Sequence, residues 1–62
     1  MVKDLFEVAI VFTKDGERDT WQRNYWADDR GNACKKGTEE FRRTYDLGSV
    51  RIIDIDAKRV MG

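Results

Sequence analysis

The sequence predicts one α+β domain with the element order strand, strand, helix, strand: a three-stranded, antiparallel-type sheet with one helix packed on one face. Three observations carry this reading. Apolar residues alternate with period two from Leu5 to Thr13, and an Asp15-Gly16 pair links that run to a second strand-like segment. An apolar stripe at helical spacing then precedes a final β-rich run, Val50-Arg51-Ile52-Ile53-Asp54-Ile55.

In the first segment Phe6, Val8, Ile10 and Phe12 form one row, while Leu5, Glu7, Ala9 and Val11 form the other. Asp-Gly between two strand patterns favours a two-residue hairpin, because both residues tolerate the positive φ that a tight turn needs. Such a turn sets Ile10 opposite Trp21, Val8 opposite Arg23 and Phe6 opposite Tyr25. A slip of one residue would bring Trp26 to that side instead.

The return strand, from about Arg18 to Trp26, is closed by Ala27-Asp28-Asp29, and either aspartate can cap a helix by accepting from its free N–H groups. Ala33, Cys34, Gly37, Phe41 and Tyr45 form the apolar stripe, and Glu39-Glu40 precede Arg42-Arg43 at ion-pairing distance along a helix. Gly31 and Gly37 each cost up to ~1 kcal/mol in a helix interior, so a firm helix is expected from about Ala33. Gly37 has a second use, as a point where the helix backbone can approach the sheet closely. Asp46-Leu47-Gly48 reads as the stop, with Gly48 as a left-handed terminator.

The last strand is expected over about Ser49 to Ala57, which leaves residues 58–62 as a tail free to be flexible. The helix returns the chain to the starting end of the second strand. The third strand therefore runs parallel in direction to the second and lies beside the first, giving strand order 2-1-3 with a right-handed crossover. The expected core joins Phe6, Val8, Ile10, Phe12, Trp21, Ile53 and Ile55 to Cys34, Phe41 and Tyr45. The other face would carry Leu5, Ala9, Val11, Val50 and Ile52, edged by Trp26. With one helix in the chain, that second apolar face has nothing to cover it and reads as a place for a partner.

Sixty-two residues is near the lower limit for independent folding. Cys34 is the single cysteine and there is no histidine, so an internal disulfide and multi-Cys/His zinc sites are excluded. Subunit association is the remaining route to extra stability, and a homodimer is one expected partner state. Twelve basic residues balance twelve acidic ones, without the basic excess of a general nucleic-acid binder. No apolar run approaches the ~20 residues of a membrane span, and Met1-Val2-Lys3-Asp4 does not begin a secretory signal. The expectation is a cytoplasmic protein with a reduced thiol and no membrane association.

Nothing in the chain has the pattern of a catalytic, metal or cofactor site. A nucleophilic cysteine needs a base and a depressed pKa, whereas Cys34 lies on the apolar stripe. Asp54 and Asp56 are edge charges that discourage strand pairing and fall short of the converging oxygens that a hard cation requires. The expectation is therefore no enzyme, no metal and no cofactor. Arg23, Trp26, Arg42 and Arg43 are the candidate partner contacts, being of types that dominate interfaces or form a local basic patch. Val50 and Ile52 join them from the open face.

The strand–Asp-Gly–strand–helix–strand layout, with Ala27-Asp28-Asp29, Glu39-Glu40-Phe41-Arg42-Arg43 and Val50-Arg51-Ile52-Ile53-Asp54-Ile55, resembles small phage and prophage proteins of the anti-CRISPR type. The resemblance is one of architecture and size, and it transfers no binding residues. It implies a non-enzymatic inhibitor in the host bacterial cytoplasm that binds a bacterial protein or ribonucleoprotein complex. The alternative is a small nucleic-acid-binding regulator that uses Trp21, Arg23, Tyr25 and Trp26 to stack bases and contact phosphates.

Overall fold

A computed structural model describes residues 3–46 and 48–61. Strands β1 (Asp4–Lys14) and β2 (Glu17–Ala27), helix α1 (Arg30–Thr44) and strand β3 (Val50–Met61) follow in that order. The sheet order is β2-β1-β3, and both ladders are antiparallel. The third strand was expected beside the first, running parallel in direction to the second. The sheet holds no parallel pairing, because β1 stands between β2 and β3 and pairs antiparallel with each.

The hairpin follows from its turn. Asp15 (φ 54°) and Gly16 (φ 81°) both take positive φ, the twisted two-residue turn that suits flanking strands. Lys14 and Glu17 therefore pair directly. Phe6–Tyr25, Val8–Arg23 and Ile10–Trp21 follow in a ladder unbroken from Lys14–Glu17 to Asp4–Ala27.

Helix α1 begins at Arg30, earlier than Ala33, because Asp29 alone suffices as its cap: the carboxylate accepts from Asn32 N–H at 2.8 Å. Gly31 is exposed in the first turn. Ala33, Gly37 and Phe41 form the buried stripe, with Cys34 and Tyr45 half-buried against the core. The helix closes at an extended Tyr45, whose N–H donates to Phe41 O at 2.9 Å. Gly48 lies beyond this closure and is not the terminator. Asp46 organises the connection: its carboxylate accepts from Gly48 N–H, and its carbonyl accepts from Ser49 and Val50 N–H. Leu47, part of the expected stop, lies outside the described residues.

The third strand departs most from expectation. Ile10 pairs with Ile55 and Val11 with Asp54, but Phe12 pairs with Ile52, which leaves Ile53 without a partner on β1. An extra residue of this kind is a β-bulge, and it reverses the inside–outside alternation of everything beyond it. Val50 turns into the core at 8% exposure and Ile52 packs against it, while Ile53 stands 50% exposed. The expected placements of Ile53 in the core and of Val50 and Ile52 on the open face are thus both inverted. A second irregularity, between Leu5 and Phe6, skips Val60. Residues 58–61, set aside as a tail, are part of β3: Lys58 pairs with Glu7, Arg59 with Phe6 and Met61 with Leu5. Gly62 lies outside the described residues.

The core lies between α1 and one face of the sheet. It joins Phe6, Val8, Ile10 and Phe12 of β1, Trp21 and Ala27 of β2, Val50 and Ala57 of β3, and the helix stripe. Its contents are graded along the strands. Toward the hairpin, the rings of Phe12, Phe41 and Tyr45 meet at 4.9–5.1 Å and Trp21 meets Phe41 edge-on at 5.8 Å. Such aromatic pairs add about 0.5–1.5 kcal/mol each beyond their burial. Toward the start of α1 the fillers are small: Ala27, Ala33, Gly37 and Ala57.

Candidate binding face

Strand alternation sends half of the sheet's side chains away from α1. On that side β1 presents Leu5, Glu7, Ala9, Val11 and Thr13, all half-buried between their neighbours. The cross-strand pairs define rungs. Leu5 lies beside Trp26, Glu7 between Asn24 and Lys58, Ala9 between Gln22 and Asp56, and Val11 between Thr20 and Asp54. The face has a narrow apolar centre line with polar borders and ends in Trp26, 52% exposed. Among the described residues no element lies over it. The bulge at Ile53 makes the centre line narrower than the sequence implies, because Val50 and Ile52 have left it.

The expected contact residues do not form one surface. Arg23 is on the helix side of β2, where its Nε lies 3.5 Å from Glu40 Oε1 and its guanidinium sits 5.6 Å from the Trp21 ring centroid. It braces the strand edge against α1, an exposed pair worth at most ~1 kcal/mol. Trp26 projects to the opposite side of the same strand. Arg42 and Arg43 are exposed in the last helical turn, where positive charge suits the carboxyl end of the helix dipole. Val50 and Ile52 are core residues and offer a partner little surface.

The strand likewise divides the aromatic–basic set expected for nucleic acid. Trp21 is buried beneath the helix, and Tyr25 is half-buried with its hydroxyl enclosed. Trp26 is left as the one exposed ring of the set. Burial and the neighbouring Glu40 carboxylate push the Tyr25 hydroxyl up to about 12, partly opposed by Arg23. The Trp21 indole N–H is also enclosed without a hydrogen-bond partner.

Other concavities are shallow. One of about 470 Å³, beside the hairpin turn, is floored by Phe12 and Tyr45 and rimmed by Lys14, Asp15, Glu17, Arg18 and Asp19. Its rim charges have mixed sign and define no ligand. Another opens over Phe6 between Asp29, Arg30 and Arg59; nearby Arg30 pairs with Asp56 at 3.4 Å and Arg59 with Asp4 at 3.5 Å. No group of three or more metal-ligating side chains converges among the described residues. Among the described residues no helix is long and apolar enough to cross a membrane.

By fold this is a small α+β chain, a three-stranded sheet covered on one side by one helix. No family model, curated protein or solved structure matches it.

Proposed function

We propose that this chain is a non-catalytic protein-binding module that docks its partner on the uncovered sheet face. The observation that carries this reading is the contrast between the two faces. Phe6, Val8, Ile10 and Phe12 are sealed beneath α1, whereas Leu5, Ala9 and Val11 have no covering element among the described residues and Trp26 stands exposed at their end. A flat apolar line within a polar border has the anatomy of a recognition surface, and tryptophan is the side chain most often found as an interface anchor. Trp26 and Leu5 supply the anchor; Ala9 and Val11 supply a flat centre that a partner's side chains can cross. The resemblance to phage-encoded inhibitors supplies the partner class, a bacterial protein or ribonucleoprotein assembly in the cytoplasm.

The test is capture from bacterial lysate by the intact chain and by the folded variants Ala9→Arg and Trp26→Ser. The reading expects a stoichiometric partner with the native chain and its loss with both variants. A partner retained by both variants, or none recovered with the native chain, overturns it.

A further inference from the structure

We infer that strand β2 is a self-pairing edge, and that two copies of the chain join antiparallel through it about Gln22 into one six-stranded sheet. The two outer edges of the sheet differ. Edge β3 is interrupted at Ile53 and Val60, and bulges are a common protection against stray pairing. Edge β2 is regular over its whole length.

The turn determines which backbone groups of β2 face outward. Lys14 and Glu17 flank a two-residue turn and so exchange both of their hydrogen bonds. Glu17, Asp19, Trp21, Arg23 and Tyr25 therefore bond inward to β1. Thr20, Gln22, Asn24 and Trp26 direct their N–H and C=O groups outward. Two side-chain contacts agree with this parity: Asp19 Oδ1 accepts from Thr20 N–H at 2.8 Å, and Lys36 Nζ donates to Trp26 O at 2.6 Å. These two contacts block the ends of the edge. Among the described residues, the backbone groups of Gln22 and Asn24, between them, have no such cover.

Antiparallel pairing centred on Gln22 fits these constraints. The two Gln22 residues exchange their N–H···O=C bonds, and each Asn24 N–H reaches the partner's Thr20 carbonyl, with neither blocking contact displaced. On the open face Arg18 comes opposite the partner's Trp26, and on the helix side Trp21 comes opposite the partner's Arg23. Each cation thus lies beside an aromatic ring, and no like charges are opposed. Moving the centre to Arg23 sets two guanidinium groups against each other. Moving it to Trp21 leaves Trp26 without a cation. The helices do not collide: they lie over β1 strands about three strand spacings, or ~14 Å, apart, and a helix with its side chains is ~10–12 Å across.

The edge is small, so the dimer belongs to the weak class that buries under about 1,200 Å² and forms at micromolar or higher concentration. The test is sedimentation of the native chain from about 10 μM to 1 mM beside Gln22→Pro. Proline at an outward-facing edge position removes a donor without touching the β1–β2 ladder. The inference expects a mass that rises toward twice the monomer for the native chain and stays monomeric for Gln22→Pro. A native chain that is monomeric throughout, or a Gln22→Pro dimer, overturns it. Should Gln22→Pro fail to fold, amide exchange of the native chain decides: Gln22 and Asn24 must gain protection with concentration, and constant exchange rates overturn the pairing. Ala9→Arg lies on the central strand and leaves this edge intact, so loss of partner capture and loss of pairing are read separately.

Discussion

Gly37 of α1 lies directly over Val8 of β1: a methyl group added at position 37 would stand 2.7 Å from Val8 Cγ1 and 3.2 Å from its Cβ. Non-bonded carbons essentially never approach to 2.7 Å, so the glycine sets the distance between helix and sheet. Gly37→Ala gains up to ~1 kcal/mol of helix propensity but overpacks a filled core at a cost of ~1–3 kcal/mol. The expected outcome is a net loss of up to about 2 kcal/mol, read as a lower urea midpoint at unchanged slope. Val8→Ala should cost less in the Gly37→Ala background than alone, because the two side chains compete for one space.

The helix start makes a separate prediction. Asp29 accepts from Asn32 N–H at 2.8 Å and no acidic residue occupies the first turn to substitute for it. Asp29→Ala should lower stability by about 1 kcal/mol, with Asp29→Ser recovering most of the loss in the same denaturation assay.

Tyr25 predicts the alkaline behaviour. Its hydroxyl is raised from 10.0 to about 12 in the folded chain, so folding favours the protonated phenol. The associated stability is fully present below about pH 10 and is lost as pH rises through 12. Tyr25→Phe should remove that part of the alkaline decline while leaving stability at pH 7 equal or greater, since the enclosed hydroxyl has no well-formed hydrogen bond. Urea midpoints between pH 8 and 12 for both chains check this; parallel declines would contradict it.

The two tryptophans should separate by spectroscopy. Trp21 is 7% exposed and Trp26 52%, so acrylamide should quench Trp26 strongly and Trp21 weakly. Trp26→Phe should leave a blue-shifted, protected emission and Trp21→Phe a red-shifted, accessible one. Equal quenching of the two variants would place Trp26 under a cover that the sheet does not show.

Much of this arrangement was legible in the residues. Asp15-Gly16 fixes a two-residue turn, and counting back from it yields the whole β1–β2 register. Gly37 in an apolar stripe signalled close approach. The strand order followed from the length and direction of one helix. For the third strand, uninterrupted alternation through Ile52-Ile53 predicts the wrong faces. Val50 and Ile52 have one parity and Ile53 and Ile55 the other, a pattern that reads as two apolar faces. It is equally the trace of an inserted residue, Ile53, that puts Val50 and Ile52 on the same face as Ile55. Strand periodicity alone does not separate these, because the bulge is chosen by packing against Phe12 and α1. The candidate face suffered in the same way: Leu5, Ala9, Val11 and Trp26 stayed on it, and the misplaced residues were those beyond the bulge.

The bulge therefore decides what the sheet offers a partner, and paired aspartate substitutions test it most directly. Ile53→Asp, at the unpartnered exposed position, should change stability by less than about 1 kcal/mol. Ile52→Asp, which sends a carboxylate against Phe12 and the core, should cost more than about 2 kcal/mol. Urea denaturation of the two variants gives the answer. A larger loss for Ile53→Asp than for Ile52→Asp would mean that the strand alternates without interruption, that Val50 and Ile52 face outward, and that the account is wrong.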